Sequence, residues 1–172
     1  IDHDNIIVKG RSFGSYWVPQ AAAAEPRFKS ASGTLGCLEP GMDTIFNKAV
    51  PAYKMRFMWM AGYDSEEAFD KFAKSLTWEP WAPKVTQPFL AIVGQNDELS
   101  PVQYAYDLYD ALTCPKTLIV YEGGKHNMIG QIGLSAEDNQ TIEADWMRDR
   151  IDGKPLTSER IMIKTSGEWE TH

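Results

Sequence analysis

The chain has 172 residues, 43% of them hydrophobic and 24% charged, with a formal charge of −7. That length suffices for one domain with its own core, and the acidic balance argues against nucleic acid or an anionic membrane as a partner. No apolar run approaches the roughly 18 residues of a membrane span, and Cys37 and Cys114 lack metal-type spacing, so two buried thiols are expected.

The first element is the run Ile6-Ile7-Val8, a strand by its β-branched content. It leads at once into Gly10-Arg11-Ser12-Phe13-Gly14. A strand, a Gly-x-Ser-x-Gly turn and then a helix form the pattern of a nucleophile elbow, which presents the serine at the strand's end in a strained conformation. Gly10 and Gly14 are expected to let strand and helix approach without a Cβ clash. Ser15 to Glu25 reads as the following helix, with Pro19 near its first turns and Pro26 closing it. Phe28 to Ser32 is a short, weak strand candidate before the turns at Gly33 and Gly36.

From 38 to 83 the character changes to a helical cap inserted between core segments 1–37 and 84–155. Met55, Phe57, Met58, Trp59 and Met60 crowd one stretch there, where Pro51 is expected to interrupt any helix. A helix is expected to start at Asp64, capped by its side chain with Glu67 at N3. Ala68, Phe69, Phe72, Ala73 and Leu76 would form its apolar stripe.

Phe89-Leu90-Ala91-Ile92-Val93 has the length and continuity of a parallel strand covered on both faces. Ser100-Pro101-Val102-Gln103 predicts a helix start with Ser100 as N-cap, Pro101 at N1 and Gln103 at N3. Thr117-Leu118-Ile119-Val120-Tyr121 is the next buried strand, and Ser135 to Ile151 a final helix stopped by Gly153 and Pro155. In the tail, 156–172, Ile161 and Ile163 alternate with polar neighbours, as in an edge strand or a docked arm. Strands alternating with helices predict an α/β fold with a parallel sheet.

A serine hydroxyl needs a base within hydrogen-bond reach to act as a nucleophile. Of three histidines, His3 precedes the first strand and His172 ends the chain. His126, in Gly123-Gly124-Lys125-His126-Asn127, follows a strand's carboxyl end, where functional loops of parallel sheets gather. The base in turn needs an acceptor that fixes its tautomer. Asp97, in Gly94-Gln95-Asn96-Asp97, ends the preceding strand in the same way. Its bland reading is a turn residue before Ser-Pro. Glu98 is its main rival and Glu122 a weaker one. The Phe13 backbone N–H, next after Ser12 at a helix start, is one candidate oxyanion donor.

The chain order Ser12, Asp97, His126 and the strand ends that carry them resemble the α/β-hydrolase superfamily up to about Pro155. The elbow through Tyr16, the Ala-rich helix running into Glu25-Pro26-Arg27, and the Gly-Gly-Lys-His-Asn loop are similar to one branch. That branch holds fermentation–respiration switch esterases, dihydropseudooxynicotine hydrolase and fungal polyketide-shortening hydrolases. The resemblance implies a cofactor-independent serine hydrolase with Ser12 as nucleophile, His126 as base and Asp97 as acid, cleaving a carboxylic ester or a C–C bond next to a ketone. It also implies that the first strand here is the fifth of a fuller sheet. N-terminal strands, the second oxyanion donor and any upstream helical domain are then expected before residue 1.

Arg11, Trp17, Met58, Trp59 and Tyr63 are candidate substrate contacts, and Met60, Trp78 and Trp81 could join an apolar or aromatic pocket, unless these residues are simply cap core. No Arg/Lys cluster marks a phosphorylated substrate, and no His-x-x-x-His pair or Gly-x-Gly-x-x-Gly marks a metal or dinucleotide. A small-molecule ester or ketone is therefore the expected partner, without metal or cofactor, and the expected location is cytoplasmic. Two alternatives stay open. One is a non-catalytic fragment whose exposed first strand pairs with a complementing chain or forms a homodimer. The other is a peptidase of the prolyl-oligopeptidase type, which shares the triad order but usually carries an upstream propeller and no cap of this size.

Overall fold

Burial of the central strands on both faces is what organises the molecule, a computed structural model describing residues 2–128 and 138–172. The strands β3 (Phe89–Gly94) and β4 (Lys116–Tyr121) are buried along almost their whole length. Phe89, Ala91, Val93, Leu118 and Val120 turn to one face and Leu90, Ile92, Ile119 and Tyr121 to the other. Helices α1 (Phe13–Ala24) and α5 (Gln103–Ala111) cover the first face through Val18, Ala22 and Leu108. Helix α6 (Asn139–Ile151) covers the second through Ile142.

Three more strands flank this pair, namely β1 (Ile6–Arg11), β2 (Phe28–Thr34) and β5 (Glu159–Ile163), all parallel in the spatial order β1-β2-β3-β4-β5. The short β6 (Trp169–Thr171) returns antiparallel beside β5, so the tail is an edge hairpin rather than a docked arm. The predicted α/β class with a parallel sheet is thus the observed one. No helix among the described residues is long and apolar enough to cross a membrane.

The weak strand candidate is a full inner strand. Its Ser30, Ala31, Ser32 and Thr34 are buried although none is large, because neighbours pack close against a small-residue strand. The Ser32 hydroxyl donates to Glu143 Oε1 at 2.6 Å, and Lys9 Nζ reaches Glu143 Oε2 at 2.8 Å, so a buried carboxylate of α6 ties β1 and β2 together.

Between β2 and β3 lies the cap, with α2 (Asp43–Lys48), α3 (Pro51–Ala61) and α4 (Glu66–Ala73). Pro51 does not interrupt a helix; it stands at the start of α3, where its missing N–H costs nothing. The cap of α4 is Ser65 rather than Asp64, its hydroxyl accepting from Ala68 N at 3.4 Å. Of the expected stripe, Phe69 and Ala73 are buried, Phe72 and Leu76 half-buried, and Ala68 exposed. Ser100 does not cap α5. Its hydroxyl instead accepts from Leu38 N at 3.1 Å, and the helix begins after Val102. Asp138 caps α6, accepting from Gln140 N and Thr141 N, while residues 135–137 of the predicted helix lie outside the described residues.

Candidate active site

Ser12 stands between β1 and α1 at φ 52° and ψ −125°, a left-handed conformation unfavourable for a residue with a side chain. Hydrogen bonds hold it there. Ser12 N donates to Thr34 O at 2.9 Å, and the buried Ser15 hydroxyl donates to Ser12 O at 2.6 Å while accepting from Cys37 N at 2.9 Å. A Cβ on Gly10 would sit 2.2 Å from Gly14 O, so only glycine fits there. Gly14 needs correction: a Cβ there would meet nothing within 4 Å, and its part is to be the backbone that Gly10 approaches.

Asp97 and His126 come from the loops after β3 and β4. The Ser12 hydroxyl lies 2.8 Å from His126 Nε2, and His126 Nδ1 lies 2.8 Å from Asp97 Oδ2. A carboxylate only accepts, so Nδ1 carries the proton and Nε2 is left to accept from the serine. The Asp97 side chain is 1% exposed, and its second oxygen accepts from Leu99 N at 2.8 Å and Ser100 N at 2.9 Å. The turn-residue reading and the acceptor reading of Asp97 are thus both met, one by each oxygen.

The two rivals are placed elsewhere. Glu98 is exposed and accepts from the His126 backbone N–H at 3.3 Å; backbone N–H groups, its own foremost, hold its carboxyl below the usual range. Glu122 is bonded to Thr165, whose backbone N–H is the main cause holding that carboxyl low. His3 is exposed at the start of the chain, and His172 pairs its backbone with Arg160 at the far hairpin.

What sequence reasoning missed is how the two loops are joined. A Cβ on Gly94 would sit 2.4 Å from Gly124 O, and one on Gly124 would sit 3.1 Å from Gly94 Cα. Asn96 N donates to Gly124 O at 2.8 Å, and Gly123 N donates to the Gln95 side chain at 3.0 Å. The paired glycines at two strand ends were the available signal. Cys37, read only as a buried thiol, lies 3.7 Å from Ser12 Oγ, and burial pushes its thiol up to about 12. Both cysteines are buried and free.

Phe13 is the first residue of α1, so its N–H has no intrahelical acceptor. Its ring starts an aromatic cluster, 4.3 Å from Phe57 and 5.9 Å from Phe46. Trp17 borders, with Phe13, Phe57, Met60 and Phe72, an apolar cavity of about 280 Å³. The other candidate contacts scatter. Tyr63 stacks on Phe72 at 5.2 Å, Met58 is buried in the cap core, Arg11 is exposed at the end of β1, and Trp59 is 82% exposed and lines no part of that cavity. Trp78 is core, its indole N–H donating to Leu38 O, and Trp81 packs beneath Lys84. Among the described residues no group of three or more His, Cys, Asp or Glu could hold a metal ion.

Comparison with curated proteins gives no match. Among solved structures, 2,6-dihydroxy-pseudo-oxynicotine hydrolase superposes with a TM-score of 0.69 at 22% identity, over 92% of this chain and 44% of that one. Acetyl xylan esterase 1 from a Thermoanaerobacterium species gives 0.59 at 18% identity, over 88% and 46%. A Paleococcus ferrophilus monoacylglycerol lipase gives 0.58 at 13% identity, over 87% and 69%. The chain therefore has the fold of these hydrolases and spans less than half the length of the first two. The sequence profile of the prolyl oligopeptidase family matches residues 1–153, and the chain belongs to that family, within the α/β-hydrolase superfamily.

Proposed function

We propose that this chain carries the reacting groups of a serine hydrolase that cleaves a carboxylic ester, or a C–C bond next to a ketone, through an acyl-enzyme. The observation that carries this reading is the unbroken relay Ser12 Oγ, His126 Nε2, His126 Nδ1, Asp97 Oδ2, with 2.8 Å at each hydrogen bond, at the carboxyl edge of a parallel sheet.

In this reading His126 Nε2 takes the proton as Ser12 Oγ attacks the carbonyl carbon, and Asp97 stabilises the imidazolium that forms. The Phe13 N–H donates to the developing oxyanion; losing such a donor costs about 100 to 1,000-fold in rate. His126 then hands its proton to the leaving group, an alkoxide or, in C–C cleavage, an enolate. Water activated by the same imidazole releases the acid. Small-molecule substrates fit the apolar cavity beside Phe13, and no cofactor enters the scheme.

Labelling with a fluorophosphonate tests it. Wild-type protein is expected to acquire the phosphonyl group on Ser12, and Ser12→Ala to acquire none. A folded wild type that stays unlabelled ends the proposal. The family match supports an amide as a second substrate class, and comparing a 4-nitrophenyl ester with the matching 4-nitroanilide separates the two.

A further inference from the structure

The apolar cavity beside the elbow has walls of one kind. Among the described residues they are six aromatic rings, Phe13, Trp17, Phe57 and Phe72 among them, and three smaller apolar side chains; no charged group lines it. The rings are not stacked flat. Phe13 and Phe57 are tilted by 46° at 4.3 Å, and Phe46 meets Phe57 edge-on at 5.4 Å, so the walls present both faces and edges, which suit another aromatic ring. A cavity of about 150 Å³ holds one benzene, so about 280 Å³ admits a phenyl ring together with the carbons that attach it. A carboxylate or ammonium group there would lose its hydration and find nothing to pair with. Trp17 is 51% and Met60 56% exposed, and both line the cavity, so it opens to solvent at their side.

Position decides which part of a substrate it takes. Phe13 follows Ser12 directly, with Cα atoms about 3.8 Å apart, so one wall of the cavity begins a residue away from the nucleophile. The acid that protonates a leaving group must stand within hydrogen-bond reach of it, which puts the leaving group beside His126. Among the described residues every wall of the cavity lies between 13 and 76, and none comes from the loops that carry Asp97 and His126. We infer that this cavity receives the acyl part of the substrate, and that the acyl part is uncharged and carries an aryl ring one or two carbons from the carbonyl. The inference rests on Ser12 being the nucleophile and His126 the acid. Trp17, at the mouth, is then a specificity-determining residue.

Two pairs of isomeric esters test this in the full-length protein: methyl phenylacetate against benzyl acetate, and methyl 3-phenylpropionate against 2-phenylethyl acetate. Within each pair the same ring moves from the acyl to the alcohol side at identical composition. With kcat/KM divided by each ester's hydrolysis rate in hydroxide, the acyl-side isomer of at least one pair should be favoured about tenfold or more, the lower end of what burying a whole ring contributes. Trp17→Ala removes one wall at a half-exposed position and should lower that preference about threefold. Equal rates within both pairs, preference for the alcohol-side isomers, turnover of no ester by protein that labels at Ser12, or a ratio that Trp17→Ala leaves unchanged would overturn the assignment. Fluorophosphonate labelling tells the two readings apart. An unlabelled wild type removes the nucleophile, while a labelled wild type with a failing ratio removes only the aryl-bearing acyl site.

Discussion

Two regions meet at Ser12, and they are built on different physics. At the sheet edge the loops after β3 and β4 are joined backbone to backbone, Gly94 against Gly124, with Asn96 N and Gln95 N donating to carbonyls across the seam. The cap is joined through side chains: Phe13, Phe46, Phe57, Phe69 and Phe72 meet ring to ring, while Met55, Trp59 and Met60 of α3 remain exposed. A backbone seam cannot adjust by rotamer, whereas a cluster of rings and methionines can. The difference teaches that the groups proposed to exchange protons are held where small errors matter. The surface proposed to meet substrate is held where adaptation is useful.

Gly94→Ala is the sharpest way to break this contrast. The new Cβ would lie 2.4 Å from Gly124 O and 2.8 Å from Lys125 O, both backbone, so one loop must move. Since His126 follows directly, the relay would lose its alignment, and misplacement of about 1 Å can cost on the order of 100-fold in rate. The fluorophosphonate labelling rate of Ser12 should fall by about that factor or more while the far-ultraviolet circular dichroism keeps its α/β shape. A labelling rate within threefold of wild type would show that the seam is looser than its geometry requires.

Phe69→Ala probes the other side. Phe69 is 1% exposed and packs edge-on against Phe46 at 5.0 Å, so its truncation should cost about 3–5 kcal/mol. The loss should fall on the cap, seen as a lower unfolding midpoint and faster proteolysis within 43–73. Ser12 should still label at near wild-type rate with a small phosphonate. Loss of labelling together with the cap would mean that the relay depends on the aromatic cluster, and the two regions would count as one.

How much of this was legible in the sequence follows the same divide. The runs Phe89 to Val93 and Thr117 to Tyr121 declared themselves because both of their faces are buried in aliphatic side chains. Ser12, Asp97 and His126 stood at strand ends within short glycine-bearing motifs, and the structure brings those three side chains within hydrogen-bond reach of one another. Strand β2 read as weak because its buried residues are serine, alanine, glycine and threonine, whose burial comes from tertiary neighbours, β1 and α1 before it and β3 and α6 after it, and not from their own size. Ser65 and Asp64 both cap well, and only the tertiary position of α4 chooses between them. The cap aromatics could not be sorted from sequence, because Met58 and Trp59 are neighbours in the chain and opposites in exposure. The prolyl-oligopeptidase and esterase patterns differ on features outside the catalytic core, a propeller and the cap size, and the family profile matches residues 1–153.

Trp59→Ser carries the smallest expected effect and draws the boundary of the cap. An 82% exposed side chain on a helix makes few contacts to lose, and serine and tryptophan have similar helix propensity. Stability should therefore change by no more than about 0.5 kcal/mol, and Ser12 labelling not at all. Thermal unfolding of the two proteins side by side reads this directly. A midpoint lowered by several degrees would mean that Trp59, with Met55 and Met60 on the same helix, is covered in the protein in solution. The outer face of α3 would then be a packed surface, and the cap's adaptability would be confined to the rings around Phe13.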